Sequence, residues 1–336
     1  MGLRVGVIGA GAWGTALAHL MTDKSDDVII WAFEPEVAQD INQYHENKTY
    51  FSDIDLPKTL RATSELAECL ADRDLVLSVV PSHAVRSVLG QAVSHLQPGI
   101  PIVSASKGIE NDSLMTMSEV FEDVLPIVFH PMLAFLSGPS FAREVAARYP
   151  TAVSVGARFE KVAAAVQEMM SGSAFRVYTS TDVTGVELGG ALKNVIAIAS
   201  GAADGLGFGT NTIAALITRG LAEITRLAIK MGANPLTLAG LSGMGDLVLT
   251  CWGGLSRNRQ VGQKLGQGMK MSEILADMRQ VAEGVKTAKS VHHLTEREGI
   301  DMPIATMVYR MLYEDMPAQE AVISLMSRSL KKEIYS

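Results

Sequence analysis

Several clusters in this 336-residue chain have residue types and spacing suited to chemistry. In the run Val186–Ala197 (VELGGALKNVIA), Lys193 follows Gly189 and Gly190 by four and three residues in what reads as a helix. Glycine inside a helix costs about 1 kcal/mol relative to alanine, so a pair of them implies close approach to the backbone. Residues three and four apart share a helix face, which sets Lys193 over the gap the glycines leave. An apolar setting would lower the ammonium pKa toward a value useful for proton transfer. The same spacing also suits a lysine whose stem snorkels to solvent. Asp246, in the glycine-rich turn SGMGD, offers a carboxylate to steer Lys193 or take its proton. Ser256-Arg257-Asn258-Arg259 puts a hydroxyl, an amide and two guanidiniums into four residues. That inventory grips a phosphate bidentately, or else forms an ordinary basic surface turn. Lys107 ends the strand-like run Ser104-Ala105-Ser106 and points either to a cleft or to solvent. Gly138-Pro139-Ser140-Phe141-Ala142 reads as a tight turn before a helix, with N–H groups and the Ser140 hydroxyl able to meet an oxyanion. In Pro81-Ser82-His83, Ser82 is placed to cap a following helix and His83 is a lesser catalytic candidate.

The elements that must position these residues begin at the N-terminus. Leu3–Ile8 is a short apolar run leading into Gly9-Ala10-Gly11-Ala12-Trp13-Gly14 and then an alanine-rich helical stretch. In that context G-x-G-x-x-G signals dinucleotide binding. Gly9 permits the turn, Gly11 lets the backbone approach a pyrophosphate, and Gly14 lets the helix close on the strand. The helix N-terminus then faces the phosphates. A second strand, Val28–Phe33, ends beside Glu34, a place where a carboxylate accepts from ribose hydroxyls and repels a 2′-phosphate. Leu75–Val80, Pro101–Ala105, Ala134–Ser137, Ala152–Val155 and Arg176–Ser180 read as further strands. Continuous apolar strands between helices indicate a parallel sheet covered on both faces. Beyond about residue 182 the texture becomes Ala, Leu, Gly and Met at helical spacing, with helices from Val186 and across Ile213–Met231. The expected architecture is α/β: a Rossmann-type dinucleotide-binding domain over 1–182 and an all-α domain over 183–336, with the ligand cleft between them.

Bulk properties narrow the function classes. A length of 336 residues favours two domains. The formal net charge of −7 argues against nucleic acid or anionic membrane as partners, though a local basic cluster can still hold an anion. Two cysteines far apart, Cys69 and Cys251, suit a reducing compartment rather than a disulfide framework. The N-terminus has no basic region or cleavage site of a secretory signal, and no apolar segment reads as a membrane span, so a cytoplasmic location is expected. No H-x-x-x-H or C-x-x-C pattern occurs, and no metal site is expected.

Taken in order, GAGAWGTALA, VVPSHAV, SASKGIE, SGPSFAREVA, the stretch 185–198, GLGFGTNTIAALITRGLAEI, SGMGDLVLTC, SRNR and VAEG resemble the NAD(P)-dependent glycerol-3-phosphate dehydrogenases of the bacterial biosynthetic type. The resemblance implies interconversion of dihydroxyacetone phosphate and sn-glycerol 3-phosphate with NAD(H) or NADP(H), for glycerophospholipid synthesis. It implies a cofactor site lined by Ala12, Trp13, Lys107, Ala142, Arg257, Val281 and Glu283, besides Gly9, Gly11, Gly14, Phe33 and Glu34. It implies a substrate site of Lys107, Gly138, Ser140, Lys193, Asp246, Ser256, Arg257 and Asn258, with Lys193 and Asp246 catalytic. Relatives often carry Arg or His where this chain has Phe33, so NADH is expected to serve at least as well as NADPH. A related β-hydroxyacid dehydrogenase gripping a carboxylate is the alternative enzyme, and a nucleotide sensor without turnover is the alternative from another class. A homodimer is possible, through the apolar helical half.

Overall fold

The apolar N-terminal run becomes the middle of an eight-stranded sheet. The computed structural model describes residues 2–25, 27–52, 54–277, 282–330 and 332–333. The first part runs β1 (Arg4–Ile8), α1 (Ala12–Met21), β2 (Asp27–Trp31), α2 (Pro35–Tyr44), β3 (Leu60–Thr63), α3 (Leu66–Leu70), β4 (Leu75–Ser78), α4 (Val85–Ala92), β5 (Ile102–Ser104), α5 (Met117–Val124), β6 (Leu133–Ser137), α6 (Ala142–Ala146), β7 (Thr151–Ala157), α7 (Glu160–Met170) and β8 (Phe175–Ser180). The strand order is β3-β2-β1-β4-β5-β6-β7-β8. The order reverses beside β1, whose neighbours are β2 and β4. Ligands of open α/β sheets bind at the carboxyl ends of strands at such a switch point. The loops after β1, β4, β5 and β6, which carry the glycine turn, His83, Lys107 and Ser140, all leave from that layer.

The expectation of a wholly parallel sheet fails at one place: β7 runs antiparallel to β6. Only the five-residue α6 lies between them. Five helical residues rise about 7.5 Å, too little to carry the chain back along a strand, so the connection returns at the same end. The short strand β3 has no counterpart in the sequence reading; its four residues, with Arg61 exposed, make too brief a pattern.

The second part contains α8 (Val183–Gly205), α9 (Thr210–Lys230), α10 (Pro235–Leu238), a π-helical turn (Leu241–Gly245), α11 (Asp246–Trp252), α12 (Arg257–Gly266), α13 (Met271–Asp277), α14 (Glu283–Glu298), α15 (Pro303–Tyr313) and α16 (Ala318–Met326). Among the described residues no strand follows β8 and no helix is long and apolar enough to cross a membrane. α8 is the axis of this part: it is buried on nearly every face, and α9, α11, α12, α14 and α15 pack around it. A helix apolar all round is a core helix.

Helices α8 and α12 meet backbone to backbone. A Cβ on Gly201 would lie 2.0 Å from the Arg259 carbonyl oxygen, and one on Gly262 would lie 2.0 Å from that of Ile198. Gly205 and Gly266 repeat the contact one turn on. This approach fixes where the N-terminus of α12, and hence Ser256-Arg257-Asn258, sits relative to Lys193 on α8. Gly262→Ala should therefore lower stability by about 1–3 kcal/mol through overpacking. Gly172→Ala, which meets nothing within 4 Å, should change it by no more than about 0.5 kcal/mol. Urea denaturation of the two variants checks this, and equal midpoints would refute the close-contact account.

Candidate functional site

The turn from β1 to α1 has the form expected of a phosphate cradle. Gly9 adopts φ +110°, and a Cβ on Gly14 would lie 1.9 Å from the Gly9 carbonyl oxygen. Gly11 opens on free space and begins α1 with no side-chain cap, so the first N–H groups of the helix are left for a ligand. Asn47 locks the turn from below: its buried Nδ2 donates to the Ala10 carbonyl and to Thr15 Oγ1, both at 2.8 Å. Ala12 and Trp13 pack with Ala142, at the start of α6, around Ala16, Phe51 and Ala146. Phe33 is 76% exposed and sets its ring edge-on to Trp31. Glu34 begins α2, and the Tyr50 hydroxyl donates to its Oε1 at 2.6 Å. That hydrogen bond, with burial, pushes the Tyr50 phenol up to about 12 and keeps it a donor. An open helix N-terminus after a Cβ-intolerant turn, with a held carboxylate at the end of β2, fits a dinucleotide.

Further along the same layer two lysines converge on one carboxylate. Asp246 opens α11 and its side chain is fully buried. Lys193 Nζ donates to Asp246 Oδ1 at 2.5 Å and to Thr250 Oγ1 at 2.9 Å. Lys107 Nζ donates to Asp246 Oδ2 at 2.6 Å and to the Gly138 carbonyl at 3.1 Å. Thr250, one turn after Asp246 on α11, donates its hydroxyl back to the Asp246 carbonyl at 2.6 Å. Burial drives the Lys193 pKa down to about 8, with Lys107 adding to the effect and Asp246 opposing it. Lys193 therefore does not snorkel to solvent. It sits where a proton can be held or released near neutral pH.

The glycines before Lys193 are explained, though not as spacing suggests. The space beside Gly189 is filled by the backbone of Ser242 and Gly243, and that beside Gly190 by the Ser137 hydroxyl, with Lys107 next to it. The glycines let the Asp246 turn and the end of β6 close on α8, which brings Asp246 and Lys107 to Lys193.

The Ser256 turn caps α12, with Ser256 Oγ accepting from the Arg259 N–H at 3.2 Å. Asn258 is buried and its Oδ1 accepts from the Gly284 N–H at 2.9 Å. Gly284 in turn sits against the carbonyl of Asn194, the neighbour of Lys193. Arg257 is exposed, whereas the Arg259 guanidinium is held in an ion pair with Asp204 at 3.1 Å. Glu283, at the start of α14, feels the charges of Arg257, Lys107 and Lys193, while burial pushes its pKa up. Val281 lies outside the described residues. Ser140 Oγ donates to the Gly138 carbonyl at 3.1 Å, and Gly138 takes φ +146°.

One expectation changes. Ser82 caps no helix: it lies inside a 3-10 turn, Ser82–Ala84, and α4 starts from Ala84 without a side-chain bond. Its hydroxyl instead packs against Gly108, in the Lys107 loop. His83 is exposed on that turn, and Asp246 is held by the lysines rather than by an imidazole. Sequence reasoning also passes over Thr250, Tyr50 and Asn47. Thr250 carries a readable signal, being four residues after Asp246 on one helix face. Tyr50 and Asn47 come from an irregular segment whose path no periodicity reveals.

Comparison with known proteins agrees with this geometry. The model of the NAD-dependent glycerol-3-phosphate dehydrogenase N-terminus matches residues 4–163, and that of the C-terminus matches residues 182–323. The chain is 54% identical over 332 residues to a glycerol-3-phosphate dehydrogenase [NAD(P)+] of Myxococcus xanthus, covering 99% of each chain. It is 55% identical over 333 residues to one of Geobacter sulfurreducens, again covering 99% of each. Among solved structures, the glycerol-3-phosphate dehydrogenase of Coxiella burnetii superposes with a TM-score of 0.91 at 38% identity, covering 97% of this chain and 99% of that one. The chain, with both halves matched and its paired lysines on one buried aspartate, belongs to the NAD-dependent glycerol-3-phosphate dehydrogenase family.

Proposed function

We propose that this chain reduces dihydroxyacetone phosphate to sn-glycerol 3-phosphate, reversibly, with NADH or NADPH, in the cytosol and in support of glycerophospholipid synthesis. The observation that carries the reading is the Asp246 carboxylate shared by Lys193 and Lys107, next to the N-terminus of α12. A ketone reduction needs a proton donor at the carbonyl oxygen and a grip on the rest of the substrate. Lys193 is the donor, and its ammonium also stabilises the negative charge that develops on that oxygen. Asp246 orients Lys193 and keeps it charged against the pull of burial. Lys107 holds the other carboxylate oxygen and is the second cation of the site. Ser256, Arg257 and Asn258 anchor the phosphate, turning binding energy remote from the carbonyl into alignment. Gly138 and Ser140 line the opposite wall. Gly9, Gly11, Ala12, Trp13, Gly14, Phe33, Glu34, Ala142 and Glu283 hold the dinucleotide, which when bound supplies the hydride to the carbonyl carbon.

Loss of 340 nm absorbance with dihydroxyacetone phosphate, in parallel with NADH and NADPH, tests the reading. Oxidation that requires the phosphorylated substrate supports it, and turnover with a carboxylate substrate instead would favour the β-hydroxyacid alternative. Lys193→Ala should lower turnover by about 10²–10⁴ while NADH binding, read by fluorescence, survives. A loss of less than about tenfold removes Lys193 from its role. The pH profile carries a sign. Reduction needs protonated Lys193, so kcat should fall as pH rises through about 8, and oxidation should rise through the same value.

Cofactor preference follows from the end of β2. Phe33 presents a ring where a 2′-phosphate would need a cation, and the Tyr50-held Glu34 carboxylate repels it. NADH should show a kcat/KM at least equal to that of NADPH, and Phe33→Arg should move the ratio toward NADPH by about tenfold or more, the equivalent of about 1.4 kcal/mol. A wild-type ratio that favours NADPH overturns this assignment.

A further inference from the structure

Glu187 is a partly buried carboxylate on α8 that the mechanism above leaves unused. It reaches across to the first turn of α5, where its Oε1 accepts from the Ser118 N–H at 2.7 Å and its Oε2 accepts from the Ser118 hydroxyl at 2.5 Å. Helix α5 is already capped from within: Thr116 and Glu119 form a reciprocal box, with Thr116 N–H donating to Glu119 at 2.7 Å. Glu187 therefore adds a bond between the two halves of the molecule rather than a cap the helix lacks. The segment it grips leads back to the site, because Thr116 is bridged to Ile109, two residues beyond Lys107. On the other side, Lys193 lies six residues beyond Glu187 on the same helix, about 9 Å along its axis. The contacts form a closed ring: Lys193, Asp246, Lys107, the Ile109–Thr116 bridge, Ser118, Glu187 and α8 back to Lys193.

Resting on the proposed reductase activity, we infer that Glu187 is a positioning residue, whose ionised carboxylate ties α8 to α5 and so holds Lys193 and Lys107 in register on Asp246. Its charge is the variable part of the tie. Burial pushes Glu187 up to about 7, while the two bonds from Ser118 pull it down and the Glu119 carboxylate on α5 pushes it further up. The adjoining cavity, beside Ser118, is lined by Glu122 of α5, His130, Arg158 and Asp182 at the start of α8. Among the described residues, the titratable and charged groups around the tie are thus three carboxylates (Glu119, Glu122 and Asp182), the Arg158 guanidinium and the His130 imidazole. Below neutrality a protonated Glu187 loses the charge-assisted part of both bonds. In the reducing direction Lys193 is protonated there, so it contributes no acid limb of its own.

The test is kcat for dihydroxyacetone phosphate reduction at saturating substrate, across pH 5.5–9, for wild type, Glu187→Gln and Ser118→Ala. Glu187→Gln keeps the size and one acceptor oxygen. It should fold, bind NADH as wild type does, and lose about tenfold in kcat, the scale of loss that a small misplacement of reacting groups produces. Wild type should show an acid limb near neutrality that Glu187→Gln lacks. In Ser118→Ala, where one bond to the charged form is gone, that limb should move up by at least about half a pH unit. A Glu187→Gln enzyme within twofold of wild type, with the same acid limb, overturns the inference. If wild type does not reduce dihydroxyacetone phosphate at all, the activity reading falls instead. The tie is then read by hydrogen–deuterium exchange: faster exchange of 117–124 and 183–193 in Glu187→Gln upholds it, and unchanged exchange overturns it.

Discussion

A carboxylate with no access to water has to be paid for by its neighbours, and in this chain Asp246 is matched by two ammonium groups, one from the loop after β5 and one from α8. Neither lysine would be stable at that depth without it, and removing one member of such a buried group leaves an uncompensated charge. The rest of the molecule can be understood as the means of bringing these three residues together. The sheet delivers Lys107 at the end of β5, α8 delivers Lys193, and the π-helical turn delivers Asp246 to the start of α11. The glycines at 189 and 190 exist in contact with that turn and with the end of β6, so the close approach and the charge cluster are one arrangement.

The two halves divide the work. The sheet half presents an open helix N-terminus and a held carboxylate at its switch point, which suit a dinucleotide. The helical half supplies Lys193, Asp246 and the turn at the head of α12. Lys107 is one of the residues that cross between them, rooted in the first and bonded to the second. The buried α8, surrounded by other helices, is the member on which the helical half is packed.

Much of this is legible in the residues. The glycine turn, the strands from β4 to β8 and the pairing of Lys193 with Asp246 follow from local pattern and from chemistry at known spacing. What escapes has a common physical cause: it depends on how distant segments meet. Gly201 and Gly205 form one i, i+4 pair and Gly262 and Gly266 another, but only their apposition gives them meaning. The reversal at β7 depends on α6 being too short to cross the sheet. Arg259 looks equivalent to Arg257 in sequence, yet two residues along α12 carry it about 200° around the helix, where it meets Asp204. Tyr50 and Asn47 act through an irregular segment folded over the end of β2.

The unequal count of two cations on one anion has a thermodynamic consequence. Lys107 helps to depress Lys193, so in the free protein near pH 8 a fraction of the molecules lacks the Lys193 proton. An anion that settles against the pair offsets the mutual repulsion and raises that affinity for protons again. Binding of an anion at that point would therefore be coupled to proton uptake from solvent, and by linkage such an anion would bind more tightly as the solution is made less alkaline.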